Sequence, residues 1–455
     1  MRKWLKATLG GVSLLGAGAA ALTYVATPKV HAGKPGEAPE LGRKGQFSIG
    51  TQVIRLTLPN RPRIGIASML TGSMTDAPRA LDVRIWYPAE VDAKGAPITY
   101  EHEMRLPKRP ALAVSSPGYA IASARPLSGQ KFPLVVMSHG YGGWNTQFSN
   151  LAEHIASRGY VVASIGHADM QADSMTSFLV SFSNVLFDRS LDQRGVIDRL
   201  VAMANSKEGG FASLIDSHRI GLIGYSMGGY GALGSAGASY LFSKDPLSKL
   251  PSKARTMLDA ANQKSAPIKA LVLFSPWGGQ PDSRAWDVAS LARITAPTMI
   301  FVGSEDDVVN YRDGVKWLFD SMANTDRYML VYREARHNIV GNPFNLGEGK
   351  DFAGYEFLAE PVWRNDRLNA INQHFVTAFL DLNLKDEADK ADYLDVPTAN
   401  SDAAEWPVSF AEQLNGEWAG PEQKSYWRGF QRRWATGMEM HHLHKGEKAN
   451  SRDLK

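Results

Sequence analysis

The 455-residue chain is 44% hydrophobic and 10% aromatic, enough to bury a large core in one big domain with additions or in two, which excludes bulk disorder. Its formal charge of +4 sits at one end: Arg2, Lys3, Lys6 and Lys29 precede residue 33 with no acid among them, and the remaining 46 basic residues equal the 46 acidic ones. Net charge therefore gives no support to a nucleic-acid partner. With no cysteine in the chain, disulfides, a thiolate nucleophile and Cys-based metal sites are excluded.

In chain order, MRKWLK followed by an apolar Ala/Gly/Leu stretch over 8–26 and VHA at Val30–Ala32 predicts an export signal, residues 1–32, cleaved after Ala32. The alternative is an uncleaved membrane anchor facing outside; otherwise the chain is expected to be periplasmic or secreted, with no membrane span once the signal is removed. Without a cysteine after the apolar stretch, a lipid-modified lipoprotein is excluded. Residues 33–47 are polar and rich in Gly and Pro, the composition of a linker. Apolar runs then recur at 51–57, 81–88, 132–140, 160–167, 219–225, 268–276, 297–306 and 327–337. The first two have no helix between them, so an antiparallel start is expected. From the third onward they alternate with helix-like segments, including 146–158, 188–205, 227–241 and 310–323, the pattern of a mostly parallel sheet covered on both faces. Segments 97–131, 167–187, 241–266 and 338–363 are expected to cover a pocket. A helix at about 364–384 presents Leu368, Ile371, Phe375, Ala378, Phe379 and Leu382 on one side and should close the sheet. Residues 48–385 thus read as one catalytic unit, and 386–455 as an extension with an acidic linker, a Trp-rich segment ending near Leu443 and a disordered end.

The most informative stretch is RIGLIGYSMGGYGALG, 219–234, a buried strand that breaks at Ser226 into a small-residue helix. A turn this sharp crowds the positions two before and two after the serine, and Gly224 and Gly228 occupy both. The helix aims its first N–H groups at the serine, where a developing oxyanion is stabilised.

A serine hydroxyl needs a general base, held in turn by a carboxylate. Of eleven histidines, His337 follows the last apolar strand on the side where the strands' carboxyl ends gather. The strand at 297–303 ends in Glu305, Asp306 and Asp307; Asp306, three residues past Gly303 and before Val308 and Val309, is the choice for the carboxylate, with Glu305 and Asp307 as solvated or turn residues. Oxyanion donors are expected from the backbone N–H groups of Met227 and of Tyr141 in the loop SHGYGGW, 138–144. His139 is a substrate-side candidate or, before Gly at a strand end, a brace for the loop; His167 is expected to do similar work near the pocket. Trp277, after the sixth apolar strand, offers an aromatic platform for an acyl or alcohol group or else belongs to the core. His441, His442 and His444 present a metal-like spacing, but with no acidic cluster nearby in sequence they read as a solvated tail, so no metal site is expected. Without a Walker, Rossmann or zinc-protease motif, a cofactor-free mechanism is implied.

These residues resemble the α/β-hydrolase fold, and within it the Ser-type dienelactone hydrolase-like and platelet-activating-factor acetylhydrolase-like esterases. The resemblance spans about residues 48–385 and rests on RIWYP at 84–88, PLVVMSHGYGG at 133–143, GYSMGG at 224–229, GSEDDVV at 303–309 and the pair His337–Asn338. NQHFVTAFLDLNL at 372–384 is similar to the closing helix. The Tyr141–Met227 pair with Trp277 is also similar to cutinase-like polyester hydrolases. The original dienelactone hydrolases use a cysteine, absent here, so lactone hydrolysis is not implied. The resemblance implies an exported serine carboxylic-ester hydrolase working through an acyl-enzyme on a small-molecule or lipid-like ester. A phospholipase, a polyester hydrolase, a serine peptidase or a non-catalytic binding protein are the alternatives.

Overall fold

In the computed structural model, residues 39–90, 95–105, 110–206, 209–263, 265–343, 358–416 and 424–447 are described. The expected export signal, 1–32, lies outside them. No helix among the described residues is long and apolar enough to cross a membrane.

One eleven-stranded sheet organises the chain. Its strands are β1 (Ser48–Leu58), β2 (Arg79–Ala89), β3 (Pro97–Met104), β4 (Leu112–Ala122), β5 (Phe132–Ser138), β6 (Val161–Gly166), β7 (Ile215–Tyr225), β8 (Ala270–Phe274), β9 (Thr298–Gly303), β10 (Arg327–Tyr332) and β11 (Met438–Leu443). Their spatial order is β11-β10-β9-β8-β7-β5-β6-β2-β1-β4-β3. From β6 to β10 all pairings are parallel, while β1 and β2 pair antiparallel over their whole length. Parallel strands must be covered on both faces, and their near-continuous Val/Ile/Leu runs divide accordingly. Val136, Leu222, Leu273 and Val302 enter one hydrophobic cluster, and Val135, Ile223, Val272 and Phe301 the other, as the twofold alternation of a strand requires.

The helices that position the site are α1 (Ser149–Ser157), α2 (Met175–Asn205), α3 (Met227–Ser235) and α4 (Asn365–Leu384). α2 and α3 cover the first face and α1 and α4 the second. Helix α4 buries Leu368, Ile371, Phe375, Ala378 and Phe379 of the expected face, while Leu382 is only partly buried. Helix α2 starts thirteen residues before the expected 188, because Ser174 accepts a hydrogen bond from Ser177 N–H and caps a new N-terminus there.

Three expectations change. The described part of segment 97–131 is not a cover: it is mostly the antiparallel β3–β4 pair at the far sheet edge, which meets the loop after β5 at Trp144, where His102 stacks at 4.3 Å between ring centroids and Met104 and Val114 pack. Residues 39–47 do not hang free, since Leu41 is buried, its N–H donates to His374 Nδ1 at 3.1 Å and its carbonyl accepts from Arg158. Finally, His441 and His442 lie not on a solvated tail but on β11, which pairs with β10 and completes the sheet. The sequence signal for this strand is weak because β11 is an edge with only Met438 and Met440 fully buried. The expected cover at 338–363 falls largely on 344–357, outside the described residues.

Candidate active site

Strand β7 ends at Tyr225, and Ser226 adopts φ 51° and ψ −114° before α3 begins at Met227. A non-glycine residue in this region costs about 1–3 kcal/mol, so the surroundings must impose it. They do so through three backbone bonds: Ser226 N–H donates to Phe274 O at 2.9 Å, and the Ser226 carbonyl accepts from Tyr230 N–H at 3.0 Å and Trp277 N–H at 3.1 Å. The flanking glycines are sterically required. A Cβ on Gly224 would lie 2.5 Å from Gly228 O, and one on Gly228 would lie 2.1 Å from Ser138 O.

Asp306 and His337 come from the loops after β9 and β10. Asp306 is buried, and both its oxygens accept from His337 Nδ1, at 3.1 and 2.9 Å. Oδ1 also accepts from the backbone N–H groups of Val308 and Val309 at 3.0 and 3.1 Å. Burial opposes ionisation of this carboxyl, but the bond and charge of His337 and the backbone donors outweigh it and hold its pKa below the usual carboxylate value. With Nδ1 donating, Nε2 of neutral His337 is left as the basic nitrogen. The imidazole packs against Tyr225, the residue before the elbow serine, with ring centroids 5.1 Å apart. Glu305 lines a separate open groove with Ser304, Arg333 and Glu334.

The loop after β5 passes directly beside the serine, since a Cβ on Gly140 would lie 3.3 Å from Ser226 Cβ. In this loop Gly142 N–H is committed to Asp169 at 2.9 Å and Gly143 N–H bonds Gly140 O at 3.3 Å. Tyr141 N–H finds no acceptor among the described residues. Met227, as the first residue of α3, likewise has an N–H without an intrahelical acceptor.

His139 is corrected from a substrate-side candidate to a brace. It is buried, its Nδ1 bonds Gly140 O at 2.7 Å, and its Nε2 accepts from His167 N–H at 3.1 Å. His167 is also buried, held between Asp192 at 2.9 Å and Ser138 Oγ at 2.7 Å. Burial, and then the charge of Arg189, push His167 down to about 4 despite Asp192, and push His139 well below its ordinary value. Both are neutral structural groups at physiological pH.

Sequence reasoning missed the charges behind this loop. Arg189, fully buried on α2, donates to Gly140 O at 2.9 Å and forms a forked pair with both oxygens of Asp169, at 2.7 and 2.6 Å. Deeper still, Arg61 and Arg79 pair with Asp188 and Asp192. The available signal was a run of charges, Asp188, Arg189, Asp192 and Arg194, within otherwise apolar helix periodicity.

Trp277 is partly buried and belongs to an aromatic row. Its ring meets Tyr230 and Phe182, each with centroids 5.6 Å away, and Phe182 continues to Phe178 and Tyr141 at 5.7 and 6.1 Å. Beside this row Met175, Phe178 and Leu179 are exposed at 73%, 39% and 49%, an apolar ledge on the first turns of α2.

A sharp strand–serine–helix turn between β7 and α3, on a mostly parallel sheet with an Asp–His pair from the loops after β9 and β10, defines the α/β-hydrolase fold. Residues 45–188 match the family model of platelet-activating factor acetylhydrolase, isoform II, so over that stretch the chain is similar to an esterase family of the α/β-hydrolase type. Among individual proteins it is similar to the platelet-activating factor acetylhydrolase of Bos taurus, 39% identical over 51 residues, which are 11% of this chain and 12% of the relative. It is similar to that of Gallus gallus at 37% over 62 residues, 14% of each chain, and to that of Canis lupus familiaris at 41% over 51 residues, 11% and 12%. The matched stretches thus span about an eighth of the relatives' length.

Proposed function

We propose that the protein is an exported serine carboxylic-ester hydrolase acting on lipid-like esters through an acyl-enzyme. The observation that carries this reading is the Asp306–His337 pair, its imidazole packed on Tyr225 immediately before a serine held in an elbow conformation. Ser226 Oγ attacks the ester carbonyl carbon while His337 Nε2 takes its proton. Asp306 keeps the imidazole in the Nδ1–H tautomer and stabilises the imidazolium that forms. The N–H groups of Tyr141 and Met227 receive the tetrahedral oxyanion. Its collapse expels the alcohol, which takes the proton from His337, and water then repeats the sequence on the acyl-enzyme to release the acid and restore Ser226.

The substrate class draws support from the aromatic row and the ledge of Met175, Phe178 and Leu179, which suit an apolar alcohol or acyl group at a lipid surface. The relatives' name, platelet-activating factor acetylhydrolase, agrees with an acetyl ester on a lipid. Export rests on the basic and apolar pattern of residues 1–32, and the N-terminal sequence of the mature protein tests it: cleavage after Ala32 is expected.

Hydrolysis of p-nitrophenyl esters from acetate to palmitate, and of a 2-acetyl phospholipid, by the chain and its Ser226→Ala variant tests the activity. Turnover abolished in the variant supports an esterase, and the acyl-length profile assigns the class. No difference between the two, together with failure of an active-site serine reagent to label the chain, would leave a non-catalytic binding protein.

A further inference from the structure

The register of β10 with β11 places Tyr328 opposite His442 and Arg327 opposite Leu443. One step beyond that pairing, Asp326 meets His444. Because alternate residues share a face of a sheet, Asp326, Tyr328, His442 and His444 stand on one side of this edge. His442 is stacked on Tyr328 at 3.9 Å between centroids, and the His442 and His444 rings are 4.3 Å apart. One ligand atom each from Asp326, His442 and His444 can be chosen so that all three lie within 4.8 Å of one another.

We propose that these three side chains form a binding site for a divalent transition metal of the zinc type, which fastens the C-terminal strand to the sheet. Two imidazoles and one carboxylate suit Zn²⁺, whose bonds of about 2.0–2.1 Å set ligand atoms roughly 3.3 Å apart in a tetrahedron. His444 Nδ1 and Asp326 Oδ1 already lie 3.5 Å apart, and both side chains are exposed. The remaining position is left to water or to Glu447, whose carboxylate already accepts from His444 N–H at 2.8 Å.

Two further observations point the same way. His442 Nδ1 lies 3.2 Å from Asp395 Oδ1, while Nε2 is buried and finds no hydrogen-bond partner among the described residues. A carboxylate that orients an imidazole through one nitrogen and leaves the other for a metal is the usual outer shell of a histidine ligand. The ligands also come from sequence positions more than a hundred residues apart, so one ion would tie the end of the chain to a strand of the central sheet. Of the cations here, Arg327 is engaged by backbone carbonyls, donating to Phe319 O, His444 O and Glu447 O, and the backbone N–H of Lys445 donates to Asp326 Oδ1 at 3.0 Å.

Metal binding is tested on the chain without a polyhistidine tag, stripped with a chelator and titrated with Zn²⁺ by calorimetry near neutral pH. One ion per chain with micromolar or tighter affinity is expected, with a rise in Tm on loading and, with Co²⁺ in its place, the visible absorption of a tetrahedral site. His444→Ala and Asp326→Asn, both at exposed positions, should each weaken binding more than tenfold while leaving the metal-free Tm unchanged. Asp395→Asn should weaken it about 10–100-fold. Absence of stoichiometric binding, or binding that survives both His444→Ala and Asp326→Asn, would overturn the site.

Discussion

Arg189 Nη2 donates to the carbonyl oxygen of Gly140 at 2.9 Å, and that carbonyl shares a peptide group with the N–H of Tyr141. In a trans peptide the two point in opposite directions. Holding the carbonyl inward, with His139 as a second donor, therefore turns the Tyr141 N–H outward, beside Ser226. Arg189 is itself aimed by the two oxygens of Asp169, which also takes the N–H of Gly142.

From this follows a test of positioning. Arg189→Lys keeps the charge against Asp169 but loses the fork that reaches Gly140 at the same time. We expect kcat to fall by about 10²–10³, the cost of one oxyanion donor, with KM changed less than threefold. Steady-state kinetics on a soluble acetyl ester measure it; an unchanged kcat would show that Gly140 needs no support from α2.

The acid assignment separates cleanly. Asp306→Asn keeps the shape but favours the wrong imidazole tautomer, and should lower kcat by about 10⁴. Glu305→Ala, in a separate groove, should stay within twofold of the parent. Equal damage from both changes would mean that Glu305, not Asp306, holds His337.

Stability should fall steeply in mild acid because four histidines are buried without charge. Burial first, then neighbouring cations, lower His154 and His374 to about 3, His167 to about 4 and His139 well below its ordinary value. Each folded-state value lies below the unfolded one near 6.5, so the unfolded chain binds more protons throughout that interval. The stabilisation is fully present above about pH 6.5 and is lost as the pH drops toward 4 and then 3. Each histidine contributes a slope of at most about 1.4 kcal/mol per pH unit. Asp188, raised by burial and by Asp192, acts in the opposite sense and offsets part of one histidine. Urea unfolding at pH 7, 6, 5 and 4 should show midpoints decreasing with pH; a flat series would mean that these imidazoles are charged or exposed.

The exposed residues at the start of α2 have a measurable role if the substrate is presented on a surface. Replacing Met175 and Leu179 together by Ser removes two exposed apolar side chains from the ledge and disturbs no core contact. Activity on micellar or vesicle-borne phospholipid esters should fall about tenfold or more, with p-nitrophenyl acetate turnover unchanged. Equal rates on both forms would detach the ledge from substrate binding.

Local chemistry is what the amino-acid order determined by itself. The elbow is legible because Gly224 and Gly228 are the residues a crowded turn demands, and the α/β class because parallel strands buried on both faces must be continuous apolar runs. The pairing of His337 with Asp306 was legible for the same reason: each lies a few residues past a strand end, where loops gather at the sheet's carboxyl edge. Contacts between distant segments were decided only by the tertiary structure. Nothing near Gly140 in sequence announces that Arg189 will hold its carbonyl, since that bond depends on how α2 packs under the loop. Likewise the edge strands β3 and β11, and β4 beside β3, half-exposed with few buried apolar positions, carry too little periodicity to stand out. Their place follows from register, and register is what sets Asp326 beside His444, 118 positions apart in a chain whose sequence shows no link between them.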